Sequence, residues 1–149
     1  MQHGYRVLEP IGAGGMAEVL LAEDASGARV AIKRMRPELA ADPELVEMFR
    51  EEGELSARIE HPNVVRVLAH AEIEGAPALV FEWLEGADVR ALLTAAHGPL
   101  PPAVACAIAA DVANGLAHAH AARDGDGTPL GLVHRDVSPG NVFVTRDGV

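Results

Sequence analysis

The chain is nearly free of cysteine, poor in aromatic residues and short of positive charge. Its one cysteine, Cys106, excludes an internal disulfide, and no neighbouring thiol or imidazole pairs with it in sequence to make a metal site. Set in an Ala-rich apolar stretch, it is expected in the core. Aromatic residues make up 3% of the chain while alanine is heavily used, which points to helix packing through small side chains. Twelve Lys and Arg stand against 22 Asp and Glu, a formal net charge of -10. No basic stripe is left to neutralise a phosphate backbone, so nucleic acid is excluded as a partner. The opening MQHGYRVLEP lacks the basic and apolar blocks of a signal peptide. The most apolar run, 103–122, is interrupted by Asp111, Asn114, His118 and His120, too many polar groups for a membrane helix. A soluble, cytoplasmic chain is expected. At 149 residues, with 49% of them hydrophobic, it can bury the core of one domain.

What is present is ordered along the chain. Residues 5–11, 18–22 and 29–35 read as short strands separated by glycine turns at Gly12–Gly15 and Ser26–Gly27, an antiparallel meander. A helix is predicted over 43–59, with Asp42 as N-cap and Pro43 at the first helical position. Leu45, Met48, Phe49, Leu55 and Ile59 fall on one face, and Glu44, Glu47, Glu51, Glu54 and Arg58 on the other. Two more strands, 64–73 and 78–84, flank a turn at Glu74–Pro77, and Gly86 marks a hinge. A short helix (88–96), a long one (102–122) and a polar loop (124–129) follow. The last strand, 142–145, runs into the turn signal Asp147-Gly148 with no second strand behind it. The organisation is α+β: a β-rich front with one helix, then an α-rich back, dividing near Glu85-Gly86.

Three segments carry chemistry. In Gly12-Ala13-Gly14-Gly15-Met16-Ala17, glycines allow backbone N–H groups to approach a phosphate, although an ordinary turn reads the same way. A dinucleotide fingerprint needs a helix directly after it, and Glu18-Val19-Leu20-Leu21 is a strand; a Walker loop needs Gly-Lys-Ser/Thr. In Val30-Ala31-Ile32-Lys33, alternation places Ala31 and Lys33 on the face opposite Val30 and Ile32, a lysine beside a small residue, unless it is a surface lysine at a strand end. Glu52 falls on the apolar side of its helix, where a carboxylate is costly without a partner, and Lys33 is the obvious one. The bland alternative sets Glu52 at the edge of the stripe. Other candidates stay bland. His118 and His120, two apart, point to different sides of their helix. His3, His70 and His97 have no partners in sequence, and Asp124 with Asp126 lacks the closing glutamate of a calcium loop.

The most specific segment is His134-Arg135-Asp136-Val137-Ser138-Pro139-Gly140-Asn141. With the glycine loop, the Val-Ala-Ile-Lys strand and the helical glutamate upstream in order, the chain resembles the eukaryotic-type protein kinase family over essentially its whole length. The Gly-Gly-Met loop looks most like bacterial members. The resemblance implies a five-stranded antiparallel N-lobe with its helix C over 1–85, and the start of the helical C-lobe over 86–149. It implies ATP and Mg²⁺ as cofactors and a protein bearing Ser or Thr as substrate. Gly12, Gly14 and Gly15 would cover the phosphates, Ile11 would line the nucleotide site, and Lys33, fixed by Glu52, would hold the α- and β-phosphates. Val19 and Ala31 would sandwich the adenine, with Phe81 as gatekeeper and Glu82 and Leu84 binding the adenine edge through their backbone. Asp136 would orient the substrate hydroxyl and take its proton, and Asn141 would hold a Mg²⁺.

Ser138 departs from the pattern, standing where Ser/Thr members usually carry a lysine for the γ-phosphate, whereas Pro139 keeps the Ser/Thr pattern and the Ala-Ala-Arg of tyrosine kinases is absent. The family's Asp-Phe-Gly and activation segments would lie beyond Val149. The chain is therefore expected to be a fragment, inactive alone, with Val104, Ile108, Val112 and Leu116 of the long helix left facing water or a poor substitute for the missing packing. A non-catalytic scaffold would need none of Lys33, Glu52, Asp136 and Asn141. A small-molecule phosphotransferase of related fold would lack Arg135.

Overall fold

The computed structural model describes residues 4–148; His3 lies outside them. Seven strands and three helices run in the order β1 (Arg6–Ala13), β2 (Ala17–Glu23), β3 (Arg29–Met35), α1 (Pro43–Ser56), β4 (Val67–Ile73), β5 (Ala76–Glu82), β6 (Gly86–Asp88), α2 (Val89–Ala95), α3 (Pro102–Ala121) and β7 (Phe143–Thr145). The chain divides into two units. One runs up to Arg58 and resumes over Val65–Trp83; the other takes Ile59–Val64 and everything from Leu84 on.

The first unit is a five-stranded antiparallel sheet ordered β1-β2-β3-β5-β4, with α1. The register explains its two faces. Leu20, Ile32 and Val80 stand opposite one another and, with Ala22, Val30, Ile73 and Ala78, form a buried cluster on one side. Val19, Lys33 and Leu79 make the next row, and Leu21, Ala31 and Phe81 the one after, so these six share the other face. There Leu79 joins Ala17, Met35 and Phe49 in a second cluster.

Asp42 caps α1, its carboxylate accepting from the N–H groups of Glu44 (2.9 Å) and Leu45 (3.4 Å), with Pro43 in the first turn. The helix stops at Ser56, short of Ile59: Ala57 makes the last i→i−4 bond, to Gly53, and the Arg58 N–H turns back onto Leu55 in a tighter final turn. The β4–β5 turn is tighter than the expected four residues. Glu74 (φ 54°) and Gly75 (φ 79°) close it alone, a left-handed pair that suits a two-residue hairpin. Pro77 then lies in β5 just past the β3 register, where the strand has a neighbour on one side only.

In the second unit, the last strand has a partner on one edge, from an earlier segment of the chain. Phe143–Thr145 pairs antiparallel with Gly86–Asp88, so Gly86 is a strand residue rather than a bare hinge. The two backbones approach so closely that a Cβ on Gly86 would lie 2.0 Å from the Val144 carbonyl oxygen. Asp88 then caps α2, accepting from the Ala91 N–H at 2.7 Å. Cys106 is exposed, against the expectation of a core thiol. The only buried residue of α3 is Gly115, nine positions on and so on the opposite side of the helix. Gly115 packs against the backbone of Asn63, and His118 lies with its ring 5.0 Å from that of His61. Val104 is 44% exposed, but Ile108, Val112 and Leu116 are half-buried rather than open to water. The 124–129 loop is closed by Asp124, which accepts from the N–H groups of Asp126 and Thr128.

Candidate active site

In the first unit the candidate residues Lys33 and Glu52 meet on the sheet face that carries α1. Lys33 projects from β3 between Val19 and Leu79, and its ammonium lies 2.6 Å from the Glu52 carboxylate. The same ammonium sits 5.7 Å from the centre of the Phe49 ring, within cation–π range. Glu52 is not where the sequence pattern puts it. The inward side of α1 is Leu45, Val46, Phe49 and Gly53, one position round from the expected stripe, so Met48 is 56% exposed and the Glu52 side chain 58% exposed. Burial therefore does not force the pair; the proximity of α1 to β3 does.

The glycine loop joins β1 and β2. Gly12 stands opposite Val19, while Ile11, Gly12, Gly14 and Gly15 are all exposed. The Gly14 N–H is committed to the Ala17 carbonyl at 2.7 Å, so what Gly14 offers a ligand is the absence of a side chain. Arg36 ties the loop down from β3's end. Its Nε donates to the Gly14 carbonyl at 3.0 Å and its N–H to the Met16 carbonyl at 3.0 Å. Arg34, beside Lys33 in sequence, points to the other face and is held by Glu18 (2.8 Å) and Glu74. Desolvation works to lower its pKa, but the hydrogen bonds from Glu18 and Glu74 outweigh it and the net direction is upward.

Ala31 and Phe81 face each other across β3 and β5. Glu82 follows, its carboxylate accepting from the Arg66 N–H at 2.8 Å and its N–H donating to the Arg66 carbonyl at 3.1 Å, which fixes the end of β5 to the start of β4. Leu84, half-buried, begins the second unit.

In that unit the His134–Asn141 loop is organised around Asp136. Arg135 takes a left-handed conformation (φ 61°), and the Asp136 N–H turns back to His134 Nδ1 at 3.3 Å. Asn141 Nδ2 donates to Asp136 Oδ2 at 2.8 Å and to its carbonyl at 3.0 Å. With the amide nitrogen so used, the Asn141 Oδ1 is the atom left to meet a cation. Mg²⁺ takes hard oxygen ligands and is commonly held by one or two side chains together with substrate phosphates, so the Asn141 oxygen fits it. Among the described residues no group of three or more His, Cys, Asp and Glu gathers as a metal cage. The loop is braced from α2, where the N–H of Val89 donates to Val142 and that of Arg90 to Pro139. The Arg90 guanidinium lies against Gly140, so close that a Cβ there would be 2.9 Å from it.

A family model described as the protein kinase domain matches residues 5–149. The chain belongs to the protein kinase family. Among kinases it is 39% identical to a tyrosine-protein kinase, MasK, of Myxococcus xanthus, covering 97% of this chain and 23% of that protein. It is 37% identical to the serine/threonine-protein kinase PrkC of Bacillus subtilis, covering 97% of the chain and 21% of that protein. The kinase domain of Mycobacterium tuberculosis PknI matches it in structure with a TM-score of 0.77 at 32% identity, over 96% of this chain and 55% of that one. The chain thus spans less than a quarter of these two curated kinases. The kinase fold expected from the sequence is the one observed, with the five-stranded sheet and its helix in place.

Lys33, Glu52, Asp136 and Asn141 stand out in the sequence as residue types at family spacing. Arg36, Arg90 and Gly53 do not. The last had left a signal, since an isolated glycine inside a helical pattern marks a tight contact or a weak helix.

Proposed function

We propose that the chain is the nucleotide-binding part of a kinase domain that transfers the γ-phosphate of ATP to Ser or Thr hydroxyls of a protein, with residues 1–85 as its N-lobe. The observation that carries this reading is the 2.6 Å Lys33–Glu52 pair on the sheet face shared with Val19, Ala31 and Phe81. A free lysine at a strand end samples many positions; one held by a carboxylate presents its charge at one place, where it stabilises phosphate oxygens. Gly12, Gly14 and Gly15 cover the phosphates, with Arg36 holding the loop in place, and Ile11 of β1 lines the nucleotide site. Val19 and Ala31 receive the adenine between them, Phe81 limits the pocket, and the backbones of Glu82 and Leu84 bind its edge. Bound ATP·Mg²⁺ supplies the phosphoryl group and neutralises charge on it. Asp136, kept in one orientation by Asn141 Nδ2, accepts the proton of the attacking hydroxyl, and Asn141 Oδ1 holds the cation.

Ser138 supplies no positive charge at the family's lysine position. Pro139 and the absence of Ala-Ala-Arg favour Ser and Thr, while the likeness to a kinase named for tyrosine makes the acceptor worth measuring. With net charge -10 the protein is not a nucleic-acid binder. No helix among the described residues is long and apolar enough to cross a membrane, and the site serves an ATP-containing compartment, the cytoplasm.

The test is the complete kinase domain with radiolabelled ATP, Mg²⁺ and a generic protein substrate, followed by phosphoamino-acid analysis. Label in phosphoserine or phosphothreonine, abolished by Asp136→Asn, is expected. Label only in phosphotyrosine would overturn the acceptor assignment, and transfer that survives Asp136→Asn unchanged would overturn the site.

A further inference from the structure

Lys33, Leu79 and His70 form one row across the sheet, since Leu79 of β5 stands opposite Lys33 of β3 on one side and His70 of β4 on the other. A single turn of α1 crosses that row. Phe49 and Glu52 meet the Lys33 ammonium, and the next residue, Gly53, is buried over the middle of the row. A Cβ on Gly53 would lie 2.4 Å from Leu79 Cδ2, 3.1 Å from Leu79 Cδ1 and 3.0 Å from His70 Cε1. Leu79 is 2% exposed and packed with Met35 and Phe49, so displacing its methyl groups disturbs that cluster. A glycine inside a helix is destabilising relative to alanine. Here the close approach of α1 to β5 is what offsets that cost.

We infer that Gly53 is a positioning residue: its missing side chain sets the height of α1 above β5, and that height decides whether the Glu52 carboxylate reaches Lys33. The inference deepens the proposed function and rests on it for its catalytic meaning, although the contact itself does not. With alanine at 53, either α1 lifts or Leu79 is driven from its place in the cluster. Lifting carries Glu52, the adjacent residue, away from β3. The pair is exposed on its outer side, so no surrounding packing pulls it back together.

Lys33 is the sole lysine of the chain, which makes the distance directly measurable. Zero-length carbodiimide coupling, read by peptide mass spectrometry, joins Lys33 to Glu52 only if the two groups touch. The wild-type chain is expected to give that product, Gly53→Ala to lose it, and Gly53→Ala/Leu79→Val, which removes a methylene where the methyl was added, to regain it. In the complete kinase domain Gly53→Ala should lower kcat roughly tenfold or more, in line with the cost of misplacing a reacting group by about 1 Å. It should lower kcat no further in a Glu52→Gln background. Undiminished coupling in Gly53→Ala overturns the inference, as does an equal loss of kcat with and without Glu52. If Gly53→Ala fails to fold, the double variant decides: restored folding and coupling support the inference, and failure of either overturns it. A wild-type domain that transfers no phosphate would sink the proposed function and leave the coupling result to judge Gly53.

Discussion

An ion pair between a lysine one-third exposed and a glutamate more than half exposed adds little to stability, about 1 kcal/mol at most. Lys33 and Glu52 are therefore separable from the fold, and mutation of either should be felt in activity first. Lys33→Met is expected to abolish phosphoryl transfer in the complete domain while leaving its melting temperature nearly unchanged; activity within a few-fold of wild type would contradict the assignment. Asp136→Asn should cut turnover by on the order of a hundredfold or more, as removal of a positioned base does, with ATP binding retained. Loss of ATP affinity at unchanged turnover would mean that Asp136 is a binding group. These residues were legible in the sequence because charged groups at family spacing announce themselves. Gly53, Arg36 and Arg90 were not, because each acts through a contact made only in three dimensions: with Leu79, with the Gly14 carbonyl and with Gly140.

Elements were legible where local chemistry decides them. Asp42-Pro43 predicted the start of α1, and the structure shows the cap. Element ends and strand partners were harder, since they depend on what the chain meets elsewhere. The β6–β7 pair illustrates this, three residues from each of two segments more than fifty positions apart. Gly86→Ala should disrupt it, because a Cβ 2.0 Å from a backbone oxygen cannot be relieved by a rotamer change. A destabilisation of roughly 1–3 kcal/mol is expected, as for overpacked sites. Faster hydrogen exchange at the Val89 and Arg90 amides, which brace the Asp136 loop, would register it, and unchanged exchange there would refute it. The β2–β3 turn makes a pH-dependent prediction. The Asp24 carboxylate accepts from the Ser26 hydroxyl at 2.6 Å, from the Ala28 N–H at 3.0 Å and from the Ser26 N–H at 2.8 Å, and these bonds hold its pKa below the ordinary 3.8. A folded-state value below the unfolded one means the contribution is complete above pH 3.8 and lost as pH falls through the lower, folded-state value. NMR titration should show the Asp24 carboxyl moving back toward its ordinary value in Ser26→Ala; an identical titration would show that the hydroxyl plays no part.

At the scale of the whole chain, the two units are unequal. The first contains both buried clusters. In the second, Ile59 and Gly115 are the only buried residues among those described, and Val104, Val133, Val137 and Phe143 are all exposed at 39% or more. A unit that buries so little gains little hydrophobic free energy with which to offset the entropy of ordering its chain. Its apolar side chains seek cover from whatever is near. The 149-residue chain by itself is therefore expected to melt in two stages, the second unit first, and to self-associate as concentration rises. Amides of β2, β3 and β5 should be the slowest to exchange. Because Cys106 is exposed, association must be measured in reductant, so that intermolecular disulfides do not imitate it. Sedimentation velocity over a range of concentrations, alongside hydrogen exchange, tests both halves of the expectation. Charging the surface with Val104→Asp and Val133→Asp should shift the chain toward monomer without changing protection in the sheet. A wild-type chain that stays monomeric throughout and melts in one cooperative step would show that the second unit is stabilised by more than its burial indicates.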